Sequence, residues 1–344
     1  MIDPKVFQEM EVELQKLIKR ELRDRVDRLE SNTAPEEFEK TFQSLLSFGW
    51  TEIDSMAATT AEWNVSEVDP LLNHLFFTLG EGTLSGALGT ALICDLLARR
   101  LLRNGKQEEN SSHSFTFPLF MEPDFLEAAE ELRLVPRAAE ADALVLLLPQ
   151  EEKIVFLGRK EEGFSWQGPI ETLGIRSCPL YDVRWSGALS QRSFPLSSTK
   201  AEVALSSARG WLLSLAAGLF SGGLQKGILY AKERYQGGDF IFNHTGLQAI
   251  LSRLQTTLWN VESLVKQIPQ AVREEGKGVE AVRQIFAEGM ESLTSKVEDI
   301  IQVFGGYGYM EDFIVERVYR DVSHLAVALG RRGFDRMAWP QGGK

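Results

Sequence analysis

QVFGGYGYMEDFIVERVYRD, residues 302–321, is the stretch whose reading decides the fold. Its glycine corner, Gly305-Gly306-Tyr307-Gly308, falls between two apolar patterns of helical spacing. Acids, aromatics and arginines then alternate up to Arg320-Asp321. Glycines remove Cβ atoms, so backbone here can lie close against a ligand or another chain. The corner is no Rossmann fingerprint, because that motif needs a strand before its glycines and a helical pattern precedes these.

Upstream of the corner, helical periodicity extends back to Ser198. LSSARGWLLSLAAGLFSGGLQKGILYAKER (205–234) is rich in small residues, which suits close helix packing. Leu247, Leu251, Leu254, Leu258, Val261, Val265 and Ile268 form one apolar stripe, and a charged loop (273–278) follows it. A third helix runs through Val282, Ile285, Leu293, Val297 and Ile300. Three long antiparallel helices and a fourth after the corner predict a four-helix bundle over 198–344.

Further upstream the texture changes to short apolar runs: FTFPLF (115–120), ALVLLLP (143–149), KIVFLG (153–158) and LYDVRW (180–185). Each has the length of a strand and is bounded by turn residues or charges, which predicts a small antiparallel β domain over 112–197, with helix allowed at 124–133. Residues 1–111 read as helical again. Val6, Met10, Leu14, Leu17, Ile18 and Leu22 recur three or four apart, and Pro35 opens a second helix that ends near Phe48-Gly49-Trp50. A strongly apolar stretch (67–103) follows, with a predicted break at Gly80-Glu81-Gly82. Arg99, Arg100 and Arg103 suit its C-terminus. The fold class is therefore α+β: helical unit, β domain, bundle. The alternative is a wholly helical chain with an irregular middle.

Composition narrows the function. A net charge of −12 over 344 residues argues against a phosphate-backbone partner. The N-terminus lacks a signal-peptide core, no apolar run approaches the length of a membrane span, and Cys94 and Cys178 form no metal-type spacing. A reduced, cytoplasmic setting is the expectation. His74, His113, His244 and His324 sit in unrelated contexts, so no metal site is expected.

The motifs resemble the acyl-CoA dehydrogenase family. Ala216-Ala217-Gly218, Tyr230-Ala231, Arg234, Gln236-Gly237-Gly238, Ile241 and His244 keep the family's spacing. Gln302, Gly305-Gly306 and Arg320-Asp321 stand in register with them. Leu46 through Trp50, Ala141-Asp142 and LGIRSCPLYDVRW (173–185) extend the likeness over nearly the whole chain. The resemblance implies an FAD site in which Arg234, Gln302, Gly305 and Gly306 reach across a subunit boundary to a neighbour's cofactor. Arginine's fixed fork of donors suits pyrophosphate oxygens.

The resemblance also implies a catalytic glutamate, and none is present. Its usual position carries Leu329, and the alternative position, five residues before Ala216, carries Trp211. Neither side chain can take an acyl α-proton. The flavin-contacting residues that follow the glutamate in the family correspond to Arg331 and Gly333, and the family's Thr-Glu-Pro segment survives only as Met121-Glu122-Pro123. The expected role is a non-catalytic subunit that completes the FAD site of a catalytic paralogue, with assembly through the bundle. Two alternatives stand beside it: an active dehydrogenase with a relocated base, and a non-redox scaffold.

Overall fold

Ser198–Glu233 forms one 36-residue helix, α7, around which the other elements are arranged. In the computed structural model the described residues are 4–31, 34–55, 65–105, 113–120, 131–149, 151–160, 163–185, 193–272 and 278–329. By length and composition α7 could cross a membrane, contrary to expectation, yet 94% of its apolar window is buried inside the molecule. It is a core helix. Small residues make that possible. A Cβ on Gly218 would stand 2.1 Å from the Phe77 carbonyl oxygen, and one on Gly80 would stand 2.4 Å from that of Leu215. Helix α5 (Val65–Thr83) thus lies backbone to backbone on α7. Gly80 and Gly82 are therefore contact residues inside α5. The break expected there comes later, at Leu84 with φ +54°, before α6 (Ala87–Asn104).

The N-terminal pattern forms α1 (Pro4–Leu17), a π-helical turn (Ile18–Leu22) and α2 (Arg23–Ser31). Leu14, Ile18 and Leu22 are buried as expected, whereas Val6 is exposed. Helices α3 (Pro35–Leu46) and α4 (Trp50–Ser55) are separated by Gly49, whose φ of +100° a side chain would strain.

Among the described residues the middle holds seven strands in two sheets: β1 (Phe115–Thr116), β2 (Glu131–Pro136), β3 (Ala143–Leu148), β4 (Lys153–Gly158), β5 (Phe164–Gln167), β6 (Leu180–Trp185) and β7 (Ser193–Pro195). One sheet runs β1-β3-β4-β7 and the other β2-β6-β5. The pairing is antiparallel except for β1 with β3, where Phe115 pairs with Ala143 in parallel, a departure from the expected all-antiparallel domain. β3 is buried along its whole length. Ala143, Val145 and Leu147 face the helical core, while Leu144, Leu146 and Leu148 face the second sheet. Double-sided burial explains an unbroken apolar run where a half-exposed strand would alternate. Residues 131–133, allowed as helix, are the start of β2, and 121–130 lie outside the described residues.

After α7 come a two-residue hairpin, β8 (Tyr235–Gln236) with β9 (Asp239–Phe240), and α8 (Thr245–Ala271). The expected third helix is two, α9 (Gly278–Thr294) and α10 (Val297–Phe304), divided at Ser295-Lys296. Short 3₁₀ turns, Gly305–Tyr309 and Glu311–Phe313, lead into α11 (Val315–Leu325).

Candidate functional site: a solvent-facing corner and two filled positions

The glycine corner stands on an aromatic platform. Tyr230 of α7 stacks on Phe304 at 4.5 Å, and Phe313 packs against Phe304 (6.0 Å) and Tyr307 (5.2 Å). Gly308 locks the turn from below, since a Cβ there would lie 2.5 Å from the Ile301 carbonyl oxygen. Gly305 takes φ +58°, and its N–H donates to the Gln302 carbonyl. Gly305 and Gly306 are exposed, and a Cβ added to either would meet nothing within 4 Å. Packing within the chain gives no reason for Gly306 to be glycine.

Arg234 caps the C-terminus of α7 and lies with its guanidinium carbon 5.8 Å from the Tyr307 ring centroid. Its backbone N–H donates to Tyr230 and its carbonyl accepts from Ile241. The guanidinium forms no ion pair among the described residues. Gln302, one turn before the corner, is exposed on α10. The structure thus gathers the four cofactor residues expected from sequence at one solvent-facing corner. Tyr309, at 77% exposure, Tyr235 and Met310 border it.

Arg320-Asp321, in register with the corner along the sequence, does different work. The Asp321 carboxylate accepts from the Gly86 N–H (2.8 Å) and the Ile175 N–H (2.6 Å), and Arg320 donates to the Leu173 carbonyl (2.8 Å) and to Glu30 (3.3 Å). A Cβ on Gly174 would come within 2.3 Å of the Arg320 carbonyl oxygen. The pair ties α11 to α6, α2 and the 173–175 segment. Burial, with Glu30 nearby adding to it, raises the Asp321 carboxyl to about 6.

Both base positions are filled with apolar side chains. Leu329 is buried, with φ +52°, and its N–H donates to the Leu119 carbonyl at 2.9 Å. Trp211 is fully buried, stacked near Phe76 (5.9 Å), with the Arg100 guanidinium carbon 4.5 Å from its ring centroid. Arg100 is itself fully buried and donates to Asp54 and Asp69, each at 3.0 Å, while Arg103 also pairs with Asp54 and Ser207 donates to Asp69. Burial holds the Asp69 carboxyl above its ordinary value against the pull of Arg100 and Ser207. Burial works against the charge on Arg100 too, but Asp54 and Asp69 outweigh it. The sequence suits Arg99, Arg100 and Arg103 to a helix C-terminus, and that reading misses this network. The available signal was three arginines inside a helix otherwise made of core residues. Met121, Glu122, Pro123, Arg331, Gly333 and the neighbouring Arg332 and Arg336 lie outside the described residues.

This three-part arrangement is the acyl-CoA dehydrogenase fold. The structure of a glutaryl-CoA dehydrogenase from Mycobacterium smegmatis in complex with FADH2 superposes with a TM-score of 0.77 at 12% identity, covering 97% of this chain and 93% of that one. Residues 199–338 match the family described as acyl-CoA dehydrogenase, C-terminal domain. Among curated relatives, the 3-(aryl)acrylate reductase of Clostridium sporogenes is 28% identical over 185 residues, 52% of this chain and 48% of that protein. Subunit CarC of the caffeyl-CoA reductase-Etf complex of Acetobacterium woodii is 25% identical over 183 residues, with the same coverage. The chain spans about half the length of the curated relatives it matches. Residues 199–338 thus match the acyl-CoA dehydrogenase C-terminal domain, and the whole chain has the fold of these enzymes.

Proposed function

We propose that this chain is the non-catalytic subunit of a hetero-oligomeric, flavin-dependent acyl-CoA dehydrogenase and completes the FAD site of a catalytic paralogue. One observation carries the reading. The corner of Arg234, Gln302, Gly305 and Gly306 faces solvent with the Arg234 guanidinium in no ion pair among the described residues, while Leu329 and Trp211 occupy both base positions as buried apolar side chains. The corner fits the phosphate side of FAD. A guanidinium without an ion pair supplies charge-assisted donors, and two glycines leave open backbone beside it. FAD supplies the redox chemistry when bound. This chain's own residues hold the phosphates and offer no base.

Assembly runs through the bundle, where exposed Tyr235, Tyr309 and Met310 border the corner and suit a partner's surface. The partner is a catalytic paralogue or, failing that, a second copy of this chain, and an acyl-CoA is the ligand of the pair. The relative named as a subunit of an Etf complex supports an assembled state. The free, buried thiols of Cys94 and Cys178 suit the cytoplasm. The same proposal divides the chain into domains at 1–111, 112–197 and 198–344. Apart from the small β8–β9 hairpin, every described strand lies between Phe115 and Pro195.

The test is co-expression with a catalytic acyl-CoA dehydrogenase paralogue from the same source, followed by flavin absorbance and bleaching by acyl-CoAs of varied chain and ring structure. The purified chain alone is expected to bleach no flavin, and the pair to co-purify with FAD and bleach it. Bleaching by the chain alone that one Asp or Glu substitution abolishes would overturn the proposal in favour of a relocated base. A complex without flavin would leave a scaffold.

A further inference from the structure

Helices α1, α5, α7 and α8 line a half-open cavity of about 460 Å³, to which neither base position and no residue of the glycine corner contributes. Phe7, Pro70, Phe77, Ala217, Val265 and Pro269 make its walls apolar. The volume falls within the range of sites that take small molecules, roughly 300–1,000 Å³.

Its polar lining is mixed: Asn73, His74, Ser214, Glu262 and Lys266 face it, and His74 Nε2 lies 3.2 Å from Glu11 Oε2. Asn73, 5% exposed, lines the cavity, and its Oδ1 has no hydrogen-bond partner among the described residues. A buried acceptor left in that state costs free energy that a ligand donor would recover. Pro269 sits inside α8 and lacks the N–H that would bond the Val265 carbonyl four residues earlier, and both residues line the cavity. The Ser214 hydroxyl donates to the Gly210 carbonyl at 2.8 Å, which leaves only its lone pairs for a ligand. Glu262 and Lys266, one turn apart at the edge, offset each other's charge.

We propose that this cavity binds an uncharged, mostly apolar small molecule that presents an N–H or O–H donor to Asn73. The site is independent of the flavin corner, so it stands whether or not the chain completes a partner's cofactor site.

The test uses the folded full chain and two ring compounds of nearly the same shape, indole, which has an N–H donor, and 1-benzothiophene, which has none. Ligand-observed NMR titration should show saturable indole binding, with benzothiophene roughly five- to tenfold weaker, the ratio expected for one hydrogen bond. Asn73→Leu should bring indole down to the benzothiophene level and leave benzothiophene unchanged. Ala217→Phe should abolish both by filling the cavity. Val265→Trp does the same from the α8 side should the first variant fail to fold, as judged by thermal melting. Three results would overturn the proposal: no saturable indole binding to the wild type, equal affinity for the two compounds, or undiminished binding in a folded cavity-filled variant.

Discussion

The glycine corner and the two buried positions Trp211 and Leu329 keep opposite relations to solvent. At the corner, Arg234, Gln302, Gly305 and Gly306 are exposed and make few contacts that the chain's own stability requires. At the other end, Trp211 and Leu329 are buried, and Arg100, Asp54 and Asp69 beside Trp211 have no exposure worth the name. One region has been shaped as though something outside the chain occupies it. The other two positions are core. The proposed assembly role expects this asymmetry, because buried apolar side chains stabilise the chain while an exposed corner contributes little to it.

The contrast can be broken first where the effect is largest. Arg100→Met leaves Asp54 and Asp69 buried without their shared cation and should cost about 3–5 kcal/mol in urea denaturation. A loss below about 1 kcal/mol would mean that the Trp211 region is not a consolidated core. Next, Gly218→Ala drives a methyl into the Phe77 carbonyl and should cost about 1–3 kcal/mol by forcing α5 from α7.

Asp321 gives a prediction with a sign. Its carboxyl is raised by burial to about 6, above its unfolded value, so the stability it contributes is full below the unfolded value and is lost as pH rises through about 6. Asp321→Asn removes one acceptor from the Gly86 and Ile175 N–H pair and should cost about 1–3 kcal/mol. The gap between wild type and variant should widen as pH falls from 7 to 4, by no more than about 1.4 kcal/mol per unit. A gap that narrows over that range would remove the raised carboxyl from the account. The smallest effect belongs to the corner: Gly306→Ala meets nothing within 4 Å and should change the stability of the isolated chain by less than about 0.5 kcal/mol. A larger loss would show that the glycine serves this chain's own fold.

Much of this was legible in the sequence, for identifiable reasons. Helices with one apolar stripe, such as Leu251, Leu254, Leu258 and Val261 on α8, announce themselves, and strands bounded by turns do nearly as well. Glycine misled where it served packing. Gly80 and Gly82 read as a break because nothing in a single sequence tells a glycine pressed on another backbone from one that ends a helix. The parallel β1–β3 pair was hidden because direction is set by the path between strands and leaves no mark on two residues such as Phe115 and Thr116. The corner residues were chosen from their register, and the fold brings them to one exposed face, while the Asp54–Arg100–Asp69 network was missed. Its members come from three helices, and only folding brings them together.

The central claim is that the corner serves a cofactor held by another subunit, and Arg234 tests it most directly. In the co-purified complex, FAD should be titrated against wild type and Arg234→Ala. Removing one charge-assisted phosphate contact should weaken FAD binding by about 1.5–3 kcal/mol, roughly ten- to more than a hundredfold, while the melting temperature of the isolated chain stays unchanged. Unchanged flavin content and affinity in a complex that still assembles would contradict the account.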